Sequence, residues 1–240
     1  MAGPILDVAG VTKNFGGFTA LGGIDLVLNP GERLGLIGPN GSGKTTLINC
    51  IAGALLCDTG RIMFNGADIT RMKAYQRTRL GIARSFQIPK PFPSMTVLQN
   101  VCVPLEYAGR REGGRLLAEE GRELLATMGL EQQASADAAS LTQIDLRKLE
   151  LARAMAANPA LLISDEAMAG LSGNEVDEIL AILFKVAERG VAIIMIEHIM
   201  RAVMRFSERV ICLDAGAKIA EGPPDEIVRD PNVERAYLGE

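Results

Sequence analysis

Gly38-Pro39-Asn40-Gly41-Ser42-Gly43-Lys44-Thr45-Thr46 follows directly on the apolar run Leu34-Gly35-Leu36-Ile37. The stretch fills the pattern G-x-x-x-x-G-K-[ST] completely. In that pattern the glycines let the backbone curl until successive N–H groups face one centre, which suits the oxygens of a phosphate. The helix such a loop opens adds partial positive charge at its N-terminus. Lys44 is expected to reach β- and γ-phosphate oxygens, and the Thr45 hydroxyl to ligate Mg²⁺. The flanks agree: a buried strand over 34–37 enters the loop and a helix over 45–52 leaves it, which is the start of an α/β core.

Working outward, two further apolar runs, 160–164 and 192–196, are short enough for central parallel strands buried on both faces. Each is followed by polar groups. Asp165 and Glu166 close the first run and Glu197 and His198 the second. In an α/β sheet, ligand groups sit just beyond the carboxyl ends of the strands. Asp165 is therefore a candidate Mg²⁺ holder, directly or through water. Glu166 is a candidate for polarising an attacking water. His198, the single histidine of the chain, is a candidate for orienting that water and bonding a γ-phosphate. Near the N-terminus, 24–28 and 61–64 read as strands beside the turn signals Asn29-Pro30-Gly31 and Asn65-Gly66, an antiparallel element. Residues 176–188 read as a helix. The stretch 89–158 opens on Pro89, Pro91 and Pro93 and then reads helical. Its charged face includes Arg110, Arg111, Arg115, Glu119, Glu120, Arg122 and Glu123. The expected fold is α/β: a P-loop NTPase parallel-sheet core (1–88 and 159–240), an N-terminal antiparallel β element, and an inserted helical lobe (89–158), all within a single domain.

The composition bounds the function. The chain has 240 residues, 48% hydrophobic and 22% charged, with a formal net charge of −4. That balance opposes a dedicated nucleic-acid binder, which carries a basic face. Cys50, Cys57, Cys102 and Cys212 have neither zinc-knuckle nor redox spacing and read as small buried hydrophobes in a reducing compartment. No leader-like segment opens the sequence, and no apolar run approaches the roughly 20 residues that a bilayer needs. The expected location is cytoplasmic, with any membrane role exercised through separate membrane subunits.

These residues together resemble the ABC transporter ATPases, over essentially the whole chain. The resemblance implies ATP and Mg²⁺ as cofactors, permease subunits as partners, and a place on the inner face of the cell membrane. It puts Phe15 in a first loop as the aromatic that stacks on adenine. Gln87, in Ser85-Phe86-Gln87, is similar to the glutamine that senses γ-phosphate and Mg²⁺ and borders the membrane-subunit groove. Lys44, Gln87, Glu166 and His198 form the implied hydrolytic set. Residues 169–172 resemble the segment that crosses to a partner ATPase. Thr12-Lys13-Asn14-Phe15-Gly16-Gly17, Ile196-Glu197-His198-Ile199-Met200 and the tail from Ile219 to Glu240 are similar to the ATPases of branched-chain amino-acid importers. Lipopolysaccharide-exporter ATPases share much of that tail and stand as an alternative.

Two departures from the family pattern carry expectations. The signature, which normally reads LSGGQ or LSYGQ, is Leu141-Thr142-Gln143-Ile144-Asp145 here. Ile144 stands where glycine lets the backbone approach a partner's γ-phosphate, and Asp145 adds negative charge where that phosphate arrives. A heterodimer with a second ABC ATPase subunit, or a nucleotide-binding subunit with weak catalysis of its own, follows from that reading. An ATPase acting on DNA or ribosomes is disfavoured by the single cassette and the absence of a long coiled-coil insertion. The second departure, Ala167 in place of proline after the glutamate, is expected to loosen that turn.

Overall fold

The computed structural model describes residues 3–107 and 114–238. Arg110 and Arg111 of the lobe's charged face, and Gly239 and Glu240 of the tail, lie outside the described residues, as does the side chain of Arg115. The chain opens with β1 (Leu6–Phe15), β2 (Phe18–Leu28) and β3 (Arg33–Ile37), then α1 (Lys44–Ala52), β4 (Thr59–Phe64), β5 (Ala67–Asp68), α2 (Ala74–Leu80) and β6 (Ile82–Ser85). Helices α3 (Val97–Tyr107), α4 (Gly114–Thr127) and α5 (Gln143–Met155) follow. The remainder alternates: β7 (Leu161–Asp165), α6 (Gly173–Glu188), β8 (Ala192–Ile196), α7 (Met200–Phe206), β9 (Arg209–Asp214), β10 (Ala217–Gly222), α8 (Pro224–Ile227) and α9 (Pro231–Leu238).

Two sheets result. β2-β1-β4-β5 is antiparallel, and the six-stranded sheet runs β10-β9-β3-β8-β7-β6, parallel except at the β9–β10 pair. The α/β class with an N-terminal antiparallel element is borne out. The antiparallel strands are longer than their apolar runs. β1 and β2 carry Gly10 and Gly23 at positive φ, and their register shifts between Val8 and Val11 and again beyond. Glycine bulges break the period-2 pattern that would otherwise mark a strand.

Alternation along the central strands explains the two main cores. Leu161, Ile163, Ile194 and Ile196 pack with α1 and the antiparallel sheet, while Leu162, Ile193 and Met195 pack with α6 and the helices of 89–158. A strand buried on both faces has no polar side to show, which is why these segments read as continuous apolar runs. The register sets the site. Leu36 lies beside Ile196, and Ile196 beside Asp165, in one row across β3, β8 and β7. The residues just beyond that row are Gly38, Glu166 and His198, so three loops distant in sequence leave one sheet edge together.

Candidate functional site

The loop after β3 curls tightly. Gly38 and Gly43 have φ of +144° and +105°, and a Cβ at these positions would lie 2.1 Å from Leu213 O and 2.7 Å from Ala20 O. Both glycines are thus required by space as well as by backbone conformation. Gly43 caps α1, and Lys44 is the first residue of that helix. The Lys44 ammonium donates to Gly38 O at 2.7 Å and Pro39 O at 2.9 Å, so the loop wraps its own lysine. Burial pushes the Lys44 pKa down, while Glu166, Cys212 and Asp165 pull it back up. A cleft of about 290 Å³ opens over the loop. Phe15, Phe18, Asn40 to Thr46, Glu166 and His198 line it. Larger clefts of about 450 and 500 Å³ lie elsewhere, and none of the groups beyond the strand row lines them.

Phe15 is the last residue of β1, not part of a loop, and pairs directly across the antiparallel ladder with Phe18. Directly opposed residues share a face, so the hairpin tip presents two aromatic side chains to the cleft, both about half exposed. Phe18 was not singled out from the sequence. Its signal was there: a two-residue Gly16-Gly17 link between aromatics reads as a hairpin turn.

At the acidic edge, Asp165 Oδ2 accepts from Arg84 Nη2 at 2.6 Å, and Arg84 Nη1 donates to Asn49 Oδ1 on α1 at 2.6 Å. Arg84, another group missed in the sequence, thus ties the ends of β6 and β7 to the helix of the phosphate loop. Glu166 is held at both oxygens. His198 Nε2 bonds Oε1 at 2.9 Å, and Gln87 Nε2 donates to Oε2. Gln87, Glu166 and His198 therefore form one connected set, although each comes from a different segment.

The turn after Glu166 is tied down, not loosened by Ala167. Glu166 N donates to Ile196 O, Met168 N to Glu197 Oε1 at 2.9 Å, and Arg147 Nη2 to Ala169 O at 3.2 Å. The carboxylate of Glu197, from the neighbouring strand end, holds the amide that follows Ala167, so the turn is pinned without a proline ring. Desolvation, with help from Glu166, pushes the buried Glu197 carboxyl up to about 7.

Leu141 and Thr142 precede α5, and Thr142 caps it: its hydroxyl accepts from Asp145 N at 3.3 Å and donates to Asp145 Oδ2 at 2.6 Å. Gln143 is exposed, whereas Ile144 is half buried and packs against the apolar core. Asp145 Oδ1 also lies 3.8 Å from Lys148 Nζ. The N-terminus of α5 is thus capped by Thr142 and already carries a carboxylate of its own.

Magnesium suits the oxygen donors available. The Thr45 hydroxyl, the second Asp165 oxygen and the Gln87 amide oxygen are hard ligands of the kind Mg²⁺ takes. Among the described residues, no group of three or more His, Cys, Asp or Glu could hold a metal unaided. One carboxylate is what Mg²⁺ needs when phosphates complete its shell.

A family model described as ABC transporter matches residues 21–169, and one described as branched-chain amino acid ATP-binding cassette transporter matches residues 217–240. The chain is 34% identical to the high-affinity branched-chain amino acid transport ATP-binding protein BraF of Pseudomonas aeruginosa, over all of both chains. It is 35% identical to the probable branched-chain amino acid transport ATP-binding protein LivG of Archaeoglobus fulgidus, over 98% of this chain and 95% of that one. Among solved structures, a nucleotide-free ATP-binding cassette from an ABC transporter aligns with a TM-score of 0.88 at 30% identity, covering 99% of this chain and 100% of the other. A cassette in its ADP conformation aligns equally well, covering 99% of each chain.

Proposed function

Because the chain belongs to the ABC transporter ATP-binding family, whose activity is ATP hydrolysis, we propose that it binds ATP with Mg²⁺ in the cleft over Lys44 and drives a membrane importer for branched-chain or related amino acids. The observation that carries the site assignment is the single row Leu36–Ile196–Asp165, which delivers the phosphate loop, the two carboxylates and His198 to one edge. Phe15 and Phe18 offer a flat apolar surface to the base. Lys44 exchanges its loop carbonyls for β- and γ-phosphate oxygens. Bound Mg²⁺ would be held by Thr45, Asp165 and Gln87 and would neutralise charge on the phosphates. Glu166 takes a proton from the attacking water on a lone pair that its single bonds to Gln87 and His198 leave open. The link to Gln87 gives the docking face a route to the base. Phe86, next to Gln87, is half exposed and lines a groove of about 260 Å³ between α1 and α2 on one side and α3 and α5 on the other, and Ile88 on the other flank is exposed too. A permease segment seated there would move the glutamine. No helix among the described residues is long and apolar enough to cross a membrane. The proposed place of action is the inner membrane face, where the family relatives supply ATP-binding subunits to transport systems.

The second ATPase subunit of the assembly is a different chain. In a head-to-tail pair, each signature serves the other chain's nucleotide. The carboxylate of Asp145 at the start of α5 repels an arriving γ-phosphate. A homodimer pairs two such poor signatures, whereas a partner with an intact signature completes the site built on Lys44. The test is steady-state ATPase of the purified chain at high concentration, before and after Asp145→Gln, alone and with Ile144→Gly. Weak activity that rises on repair is expected. Strong activity of the unaltered chain, or no gain from either change, refutes the heterodimer.

A further inference from the structure

The tail after β10 has no role in the site described so far, yet it touches the phosphate loop. β3 pairs with β9 as far as Ile37–Cys212 and with β8 as far as Leu36–Ile196. The next amide, Gly38 N–H, donates to the Tyr237 hydroxyl at 2.9 Å, across 199 residues of sequence. Tyr237 lies on α9, one turn beyond Val233 and on the same helix face. Val233 is buried in the small core formed by Ile37, Val203, Val210, Cys212 and Ile227. The residue that anchors α9 therefore shares a core with the residue that precedes the loop. That anchor aims the tyrosine at the strand-to-loop switch.

Gly38 cannot be held by a side chain of its own, since Leu213 O and Ser42 Oγ occupy the space a Cβ would take. Its carbonyl accepts from Lys44 Nζ. Gly38 thus has the tail on its N–H and the phosphate-reaching lysine on its C=O. Tyr237 is 43% exposed, but desolvation around its hydroxyl raises the pKa, so the phenol remains protonated.

We propose that Tyr237 is a positioning residue of the nucleotide site: through its hydroxyl the C-terminal helix holds the first turn of the phosphate loop in its binding conformation. The inference rests on the nucleotide reading of that loop. Without the hydroxyl, the loop samples other conformations. A ligand that must select the competent one binds more weakly by the fraction lost.

The experiment is Tyr237→Phe, which keeps the ring that packs α9 and removes one oxygen. The dissociation constant for a fluorescent ADP analogue, measured without turnover, should rise about 3- to 10-fold, the range set by one hydrogen bond. The KM for ATP should rise more than kcat falls, and the Gly38 amide should shift in its ¹⁵N spectrum and exchange faster. An unchanged ADP affinity overturns the proposal, as does weakening only when residues 231–240 are deleted, because then packing and not the hydroxyl is responsible. Lys44→Ala keeps the two readings apart. Normal ADP binding by Lys44→Ala would remove the nucleotide site itself. Normal binding by Tyr237→Phe beside an inert Lys44→Ala would remove only the tether.

Discussion

Arg77→Met tests how the helix of the phosphate loop is held at its far end. Arg77 is fully buried and faces carbonyl oxygens only. Its Nη1 donates to Cys50 O and to Ile51 O at 2.8 Å, Nη2 to Thr70 O at 3.1 Å, and Nε to Met72 O at 3.0 Å. Cys50 and Ile51 lie in the last turn of α1, where carbonyls have no helical partner and the helix dipole is negative. One guanidinium thus caps α1 and ties it to the segment leading into α2, offsetting the cost of its own burial, which lowers its pKa. Methionine fills similar space but leaves four buried acceptors unpaired. At roughly 1–3 kcal/mol each, less what is recovered by no longer burying a charge, the net loss is about 3–5 kcal/mol. Total stabilities of about 5–15 kcal/mol make that a large fraction. The chain has no tryptophan, so urea unfolding is followed by far-ultraviolet circular dichroism. The midpoint should fall steeply, and saturating nucleotide should restore part of it by mass action. Arg77→Lys should be intermediate, because one ammonium cannot span four carbonyls. A loss below about 1 kcal/mol for Arg77→Met would show that water satisfies these carbonyls and that the cap contributes little.

Glu166→Gln should bind ATP and slow hydrolysis roughly 10²–10⁴-fold, the usual scale for removing a general base, and normal turnover would reassign the base. His198→Ala should depress kcat more than nucleotide affinity; an equal loss of both, read by equilibrium binding beside steady-state rates, would make His198 structural. The raised pKa of Glu197 means that the folded state binds its proton more tightly than the unfolded chain. Its contribution therefore falls as pH rises from about 4.5 to about 7, by about 3 kcal/mol, and is flat above that. Glu197→Gln, which keeps an acceptor for Met168 N, should gain stability relative to the native chain across that window. Parallel pH curves for the two proteins would exclude the effect.

The parts of the molecule that were legible in sequence are those whose signal is local. Gly38 to Thr46 carries its own geometry, and 161–163 and 192–196 are apolar because both faces are covered. What was not legible depends on contacts between distant segments. Arg84 looks like any surface arginine until β6 is placed beside β7, and then it meets Asp165. Tyr237 and Glu197 are ordinary residues of a tail and a strand end until the fold sets them against Gly38 and Met168. Phe15 could be named from a motif; its partner Phe18 had a local signal in the Gly16-Gly17 link, and the register of a bulged hairpin sets the two directly opposite each other. The altered signature was visible as letters. That Ile144 packs inward and Asp145 turns back onto Thr142 was not.

The neighbours Asp165 and Glu166 raise a geometric problem that the backbone answers. Consecutive residues of an extended strand point to opposite faces, so a strand continuing through both would send one carboxylate away from the phosphate loop. Glu166 instead has φ of +48°, a left-handed conformation uncommon outside glycine. The strand ends between the two, and both carboxylates act on the Lys44 ammonium. Such a backbone costs on the order of 1–3 kcal/mol and persists only where its surroundings over-determine it. Here they do. Ile196 O takes the Glu166 N–H, Gln87 and His198 hold its side chain, and Glu197 and Arg147 fix the residues that follow. Every one of those partners lies elsewhere in the sequence and arrives only when β6, β7 and β8 are in register and the helical segment 143–155 is packed against them. The strained turn therefore links assembly of the fold to alignment of the hydrolytic groups, and a chain with a slipped strand would lose Glu166 from the cleft along with its core.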